Sequence, residues 1–348
     1  MDHFPAITLK QLRALSAVVS GGGITAAADL LHVTPPAVST QLKILEANVG
    51  APVVIRGGAG RPRPTAQGEE LLATARRIEN ALSDCRRRLQ ALASGRAGVV
   101  QLTVVSTAKY FAPKLVAIAR RALPGVEIAL KIGNREETIA ALLDGALDLA
   151  IMGRPPAAHL AEARPLGPHP HVLIAAPDHP LAGRPLLGPD LAGETFLMRE
   201  PGSGTRILAE RYLDQIGATG VDTVEFGTNE TIKQGVMAGL GLAFISGHTI
   251  IAEIEAGRLL LLDAPGLPLM RQWYLVTPSG YDRPKAVELT ARFLIEQAPL
   301  NLPRLNLLGA VSADPLAHAQ TEVDVASATS TSVLDPSDSS GQIDRRLR

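Results

Sequence analysis

At Val99 the spacing of apolar residues changes, and that change sets the architecture. Upstream, the segments are helical in period apart from one short hairpin; downstream, short apolar runs alternate with amphipathic ones. A 348-residue chain with two such regimes divides into two or more domains. The downstream pattern predicts a strand over 99–105, a helix over 108–122, a strand over 126–132, a helix over 135–143 capped by Asn134, and a strand over 147–152. Strands joined by helices imply a parallel sheet. A second set follows, with strands near 172–176, 196–198, 223–226, 242–245 and 259–262 and helices near 206–215 and 231–238. A strand at 272–276 and a helix over 284–296 close a two-lobed α/β body spanning 98–300. Ligands of such bodies sit in the cleft at the carboxyl ends of the strands.

The upstream regime begins with Thr8 and Gln11, a capping-box pair, followed by Leu9, Leu12, Leu15 and Val19 at helical spacing to about Ser20. Gly21-Gly22-Gly23 stops this helix, and Thr25 is placed to cap a second one ending at Leu31. After His32-Val33, Thr34 caps a third helix whose first turn holds Pro35 and Pro36, where backbone N–H groups have no helical partner anyway. Val38, Leu42, Leu45 and Val49 supply its buried stripe, leaving Ser39, Thr40 and Lys43 on a polar face. Two short helices and a tight turn form a helix-turn-helix. Val53-Val54-Ile55 and the basic, glycine-rich 56–64 segment then predict a wing, completing a DNA-binding domain over 1–65.

Thr65 caps the next helix, which holds Glu69 and Glu70 near its positive end and runs to Ser94-Gly95 within a 66–97 linker. Its apolar positions, Leu71, Ala75, Ile78, Leu82, Cys85, Leu89 and Leu92, step alternately by four and three, the seam of a coiled coil. A homodimer is expected, with Cys85 buried in the seam as a small apolar residue. Charge is unevenly placed: residues 1–97 hold 12 basic and 7 acidic side chains, while the whole chain balances 34 against 34. A basic module on a mildly acidic body suits a nucleic-acid binder with a separate sensing domain. Residues 301–348 lose periodicity, and their Ser, Thr, Ala and Asp predict a disordered tail.

Several classes are disfavoured. No apolar run approaches the roughly 18 residues that span a bilayer, and Met1-Asp2-His3-Phe4-Pro5 does not look like a signal peptide, so a cytoplasmic protein without a membrane is expected. The single cysteine excludes an internal disulfide framework. No nucleophile elbow, Walker loop or full dinucleotide fingerprint occurs, and His169 and His171 lack an evident third metal ligand, so neither an enzyme nor a metal site is expected. The chemistry left in the body is anion binding. Gly202-Ser203-Gly204-Thr205-Arg206 opens a helix whose N–H groups can hold a phosphate or carboxylate, and Ser106-Thr107 has the same placement in the other lobe. Arg135, Arg154 and Arg206 can add charge, and Thr228-Asn229 starts another helix facing the cleft. Two classes stay open: a ligand-responsive transcription factor, and a cytoplasmic small-molecule enzyme or binding module with an accessory helical domain.

Thr25-Ala26-Ala27-Ala28, Leu31-His32-Val33-Thr34-Pro35-Pro36-Ala37-Val38-Ser39, Leu45-Glu46 and Pro64-Thr65-Ala66-Gln67-Gly68 resemble the winged-helix signature of LysR-type transcriptional regulators, over residues 7 to about 296. Ser106–Phe111, 133–137, 152–156, 200–205 and 229–234 resemble the subgroup that regulates carbon-fixation (RuBisCO) operons. Three departures stand out. Pro35 and Thr40 occupy positions where the family often has Gln and Arg, Val53-Val54 replaces a frequent Leu-Phe, and 301–348 matches no family pattern. The resemblance implies double-stranded DNA with a two-fold symmetric site as partner, a homotetramer, contact with RNA polymerase, and a phosphorylated effector, a sugar bisphosphate or NADPH, rather than a resident cofactor. Pro35, Pro36, Ser39, Thr40 and Lys43 are then the candidate base readers, and Arg56, Arg61 and Arg63 the phosphate contacts.

Overall fold

The computed structural model describes residues 7–55, 61–93, 98–280 and 283–305. Helices α1 (Leu9–Gly21), α2 (Ile24–Leu31) and α3 (Pro35–Val49) pack around Leu15, Ala27, Val38, Leu42 and Leu45. The Thr8–Gln11 capping box is formed, with the Thr8 N–H donating to Gln11 Oε1 at 2.8 Å. Thr25 does not cap α2: the helix starts two residues earlier than that cap would give, at Ile24 behind Gly23, because an extended glycine already supplies the turn. Thr34 takes the extended N-cap backbone without a side-chain bond, and Pro36 at the second helical position removes one of the two N–H groups a cap would serve.

Strands β1 (Val54–Ile55) and β2 (Arg63–Pro64) pair antiparallel at the base of the wing. Arg56 and the rest of 56–60 lie outside the described residues. Helix α4 (Ala66–Ala93) follows, begun by Thr65, whose hydroxyl accepts from the Gly68 N–H at 3.1 Å and donates to the Pro52 carbonyl at 2.8 Å. A β-carbon on Gly68 would collide with the Val53 carbonyl, so this junction requires glycine.

In the body, β3 (Gly98–Val105), β4 (Val126–Gly133) and β5 (Leu149–Met152) form a parallel set in the order β4-β3-β5, with α5 (Ala112–Ala122) and α6 (Arg135–Leu143) between them. The expected 108–122 helix is split. Ser106–Tyr110 is a 3-10 turn, and the regular helix begins at Ala112 because Pro113 has no N–H to carry the ladder back. Strand β6 (Ala161–Ala175) and strand β11 (Leu269–Pro278) run antiparallel along their length and join the lobes. The second lobe contains β7 (Thr195–Arg199), α7 (Gly204–Gln215), β8 (Asp222–Gly227), α8 (Asn229–Met237), β9 (Ala243–Ser246), α9 (Ile251–Glu255) and β10 (Leu260–Leu261). Strands β7 and β8 pair parallel, whereas β9 and β10 pair antiparallel to β6, so the sheets are mixed rather than parallel throughout.

Helix α10 (Lys285–Asn301) returns to the first lobe. Residues 301–305, expected to belong to the tail, are instead packed on the body: Asn301 ends α10, Leu302 is buried in the first lobe's core, and Leu305 packs beside Gly247. Residues 306–348 lie outside the described residues. No helix among the described residues is long and apolar enough to cross a membrane.

Candidate functional site

Strands β3, β5 and β7 and the amino ends of α6 and α7 converge between the lobes. The cleft there holds about 720 Å³ of free space, mouth included. It is lined by five arginines, Arg135, Arg154, Arg199, Arg211 and Arg271, and by no carboxylate among its described lining residues. Arg135, the first residue of α6, lies over Gly204, and its Nε is buried without a partner. Burial, and then the like charge of Arg154, lower its pKa. The first turn of α7 lines the same space, and Ser203 makes no capping bond, leaving the helix's positive end uncapped. Cations, an open helix N-terminus and the hydroxyls of Ser106, Thr107 and Thr205 give the cleft the chemistry to accept an anion.

Arg199, at the end of β7, is only 4% exposed and fully engaged. It donates to both oxygens of Glu200 at 2.8 Å, to the Gly227 carbonyl and Asn229 Oδ1 at 2.7 Å, and across the lobes to Ser106 Oγ at 2.8 Å. A second link between lobes is the Glu136 N–H donating to the Gly202 carbonyl at 3.3 Å, and a third is the Tyr110 hydroxyl donating to Glu230 at 2.9 Å.

Ser106, Thr107, Arg135, Arg154, Ser203, Gly204 and Thr205 all line the cleft as expected from sequence, whereas Gly202, Arg206, Thr228 and Asn229 do not. Gly202 sits at φ +82°, and a β-carbon there would run into the Glu136 carboxylate. Arg206 leaves the cleft because it is held by the Arg199 carbonyl at 2.9 Å, Glu210 at 2.9 Å and Glu225 at 3.2 Å. Thr228 caps α8 by accepting from the Thr231 N–H at 3.1 Å, and buried Asn229 positions Arg199. Sequence reasoning missed Arg199, Arg211 and Arg271; the strand-end rule applied to Ser106 and Arg154 would have found Arg199.

His169 and His171 line the cleft too. Among the described residues no metal-ligating cluster includes them. The His169 ring stacks on Trp273 at 3.7 Å, and Trp273 Nε1–H donates to His248 Nδ1 at 3.0 Å. Burial holds His169 well below the usual imidazole range, pushes His171 down to about 3, and His248 down to about 4. The cleft's charge at neutral pH therefore comes from guanidinium groups.

In the winged helix, Pro35, Pro36, Thr40 and Lys43 are exposed and Ser39 is half-buried. The Thr40 hydroxyl donates back to the Pro36 carbonyl at 2.9 Å. Arg61 and Arg63 are exposed on either side of the turn into β2, with the Arg61 side chain against Gly22. The α4 seam divides in two. Leu71 packs against the winged helix's own core, and Ala75, 3% exposed, is buried near Ala17 and Leu31, so neither is free for a partner helix. Ile78, Leu82 and Leu89 are exposed in the chain by itself, at 37%, 45% and 61%, and Cys85 is exposed rather than buried. The Leu92 side chain lies outside the described residues. On its other side α4 grips α6: Arg76 Nε pairs with Asp144 at 3.1 Å, and Asn80 Nδ2 donates to the Asp144 carbonyl at 2.7 Å.

Residues 93–299 match the model of the LysR substrate binding domain, and residues 9–69 that of the bacterial regulatory helix-turn-helix protein, lysR family. The chain belongs to the LysR family of transcriptional regulators. It is 50% identical over 287 residues to the HTH-type transcriptional regulator CbbR of Cereibacter sphaeroides, covering 82% of this chain and 92% of that one. It is 39% identical over 293 residues to a RuBisCO operon transcriptional regulator of Allochromatium vinosum, covering 84% and 97% respectively. Its body resembles the Synechocystis PCC6803 CcmR regulatory domain in complex with 2-PG, at TM-score 0.55 and 33% identity over 57% of this chain and 97% of that one. This LysR chain therefore pairs a winged helix with a substrate-binding body whose cleft is cationic.

Proposed function

We propose that this LysR regulator controls a carbon-fixation operon and that its effector is a small phosphorylated acid held between the lobes. The observation that carries the proposal is the cleft itself, lined by Arg135, Arg154, Arg211 and Arg271 beside the Glu200-paired Arg199, with an uncapped helix N-terminus and no carboxylate among the described lining residues. The likeness to RuBisCO operon regulators and to a domain holding 2-PG supports the same choice. A phosphate rests against Arg135, Arg154 and the first turn of α7, while Ser106, Thr107 and Arg199 hold the lobes at one angle. An effector touching both lobes favours that angle over others, and only such a difference in affinity can bias the DNA-bound state.

In the same reading, residues 1–65 bind a two-fold symmetric DNA site. Pro35, Pro36, Ser39, Thr40 and Lys43 face the bases, and Arg56, Arg61 and Arg63 the phosphates. Residues 66–97 dimerise through the exposed run from Ile78 to Leu89, and the bodies over 98–300 complete a tetramer that acts on RNA polymerase in the cytoplasm.

The test is calorimetric titration of the full chain with 2-phosphoglycolate, a sugar bisphosphate, NADPH and glycolate. Phosphorylated ligands bind, glycolate does not, and Arg135→Ala weakens binding at least tenfold without changing DNA affinity in the absence of ligand. Should no phosphorylated ligand bind, or glycolate bind as well, the anion reading fails and the family assignment alone stands.

A further inference from the structure

His169 lies in β6, opposite Arg271 of β11, and both line the cleft. Its Nε2 is 3.0 Å from Ser246 Oγ, and that oxygen also accepts the His248 N–H at 3.3 Å. The Ser246 hydroxyl can donate to His169 Nε2, and in that tautomer Nε2 is the acceptor and the ring proton sits on Nδ1. Nδ1 is buried and has no partner among the described residues. It faces Gly153, another lining residue, where a β-carbon would stand 2.8 Å from it. Gly153 does not have a left-handed backbone, so the approach of the imidazole is what requires glycine there. Stacking on Trp273 fixes the plane of the ring, and so the direction of the N–H.

A buried donor left unpaired is costly unless something arrives to accept from it. We propose that His169 Nδ1–H, backed by the charge of Arg271, reads the carboxylate of the effector while its phosphate lies at Arg135 and the start of α7. The assignment rests on the phosphorylated-acid reading above and gives it a specificity determinant. A site that offers a fixed N–H discriminates strongly against a ligand with a methyl group in that place, because the donor then stays unpaired.

The experiment compares 2-phosphoglycolate with ethyl phosphate, which replaces the carboxylate by a methyl group, on the full chain. The unaltered protein prefers 2-phosphoglycolate at least tenfold. His169→Phe brings the ratio near one while leaving ethyl phosphate affinity unchanged, His169→Asn, which keeps an N–H near the Nδ1 position, retains most of the preference, and Gly153→Ala loses it. An unchanged ratio in His169→Phe overturns the proposal. Should that variant not fold, nitrogen NMR of the histidine-labelled unaltered protein decides: a proton on Nδ1 is expected, and one on Nε2 overturns the assignment. If ethyl phosphate binds as tightly as 2-phosphoglycolate, the phosphate site stands and the role of His169 falls. If neither binds, the reading beneath it falls as well.

Discussion

In the winged helix, the groups we propose for DNA contact come from one stretch, Pro35 to Lys43 on α3, with Arg61 and Arg63 a short way along. The cleft instead gathers Ser106, Arg135, Arg154, His169, Arg199, Arg211 and Arg271 from seven separate segments spread over most of the body. The winged helix builds its core from helices adjacent in sequence, so its stability and its outward face are both locally encoded. The cleft exists only when the two lobes are held together, by contacts such as Arg199 to Ser106. The two regions should therefore fail separately.

The largest expected separation comes from Leu42→Ala. Leu42 is buried at the centre of the winged-helix core, and its truncation costs about 3 kcal/mol. DNA binding in a band-shift drops sharply while calorimetric affinity for the effector stays within about twofold. A parallel loss of effector affinity would show that the two regions fold as one unit. Next is acidification, which acts on the body. His169 and His171 are uncharged in the folded chain and titrate near the usual imidazole value once unfolded. The unfolded state thus binds more protons below about pH 6.5, and stability is lost as pH falls through that value, approaching about 1.4 kcal/mol per pH unit for each. Urea unfolding at pH 7.5 and 5.5, followed at Trp273, checks the sign; a body equally stable at both overturns it.

Leu82→Lys should cost the fold under about 1 kcal/mol, because Leu82 is exposed in the single chain. It should nevertheless halve the size of the assembly by sedimentation, which an unchanged mass would contradict. The smallest effect is reserved for Arg206→Ala. Its guanidinium is committed to Glu210 and Glu225 outside the cleft, so effector affinity should move less than about twofold by calorimetry. A tenfold loss would return Arg206 to the binding residues.

What was legible in the sequence was what neighbours in sequence decide. The capping boxes at Thr8 and Asn134 and the helix-turn-helix could be placed from spacing alone because each is closed by bonds within a few residues. Strand β6 was seen only at its end. Pro165, Pro168 and Pro170 look like loop residues, yet that part of β6 pairs only with β11, and an edge tolerates missing N–H donors. The seam of α4 showed its period but not its division, since the burial of Ala75 depends on how α4 meets α1. Arg206 sits at the start of α7 like a cleft residue, and only the positions of Glu210 and Glu225 turn it away, which its own neighbours in sequence do not show.

Trp273 is the chain's single tryptophan, and it belongs to one of the two strands that join the lobes. Its indole lies against the His169 imidazole, which forms part of the cleft wall. All the tryptophan fluorescence of the molecule therefore originates beside the cleft. A change in the angle between the lobes, or an acceptor arriving at His169, alters the surroundings of the only emitter, and the regulator carries its own optical gauge of occupancy without an attached dye.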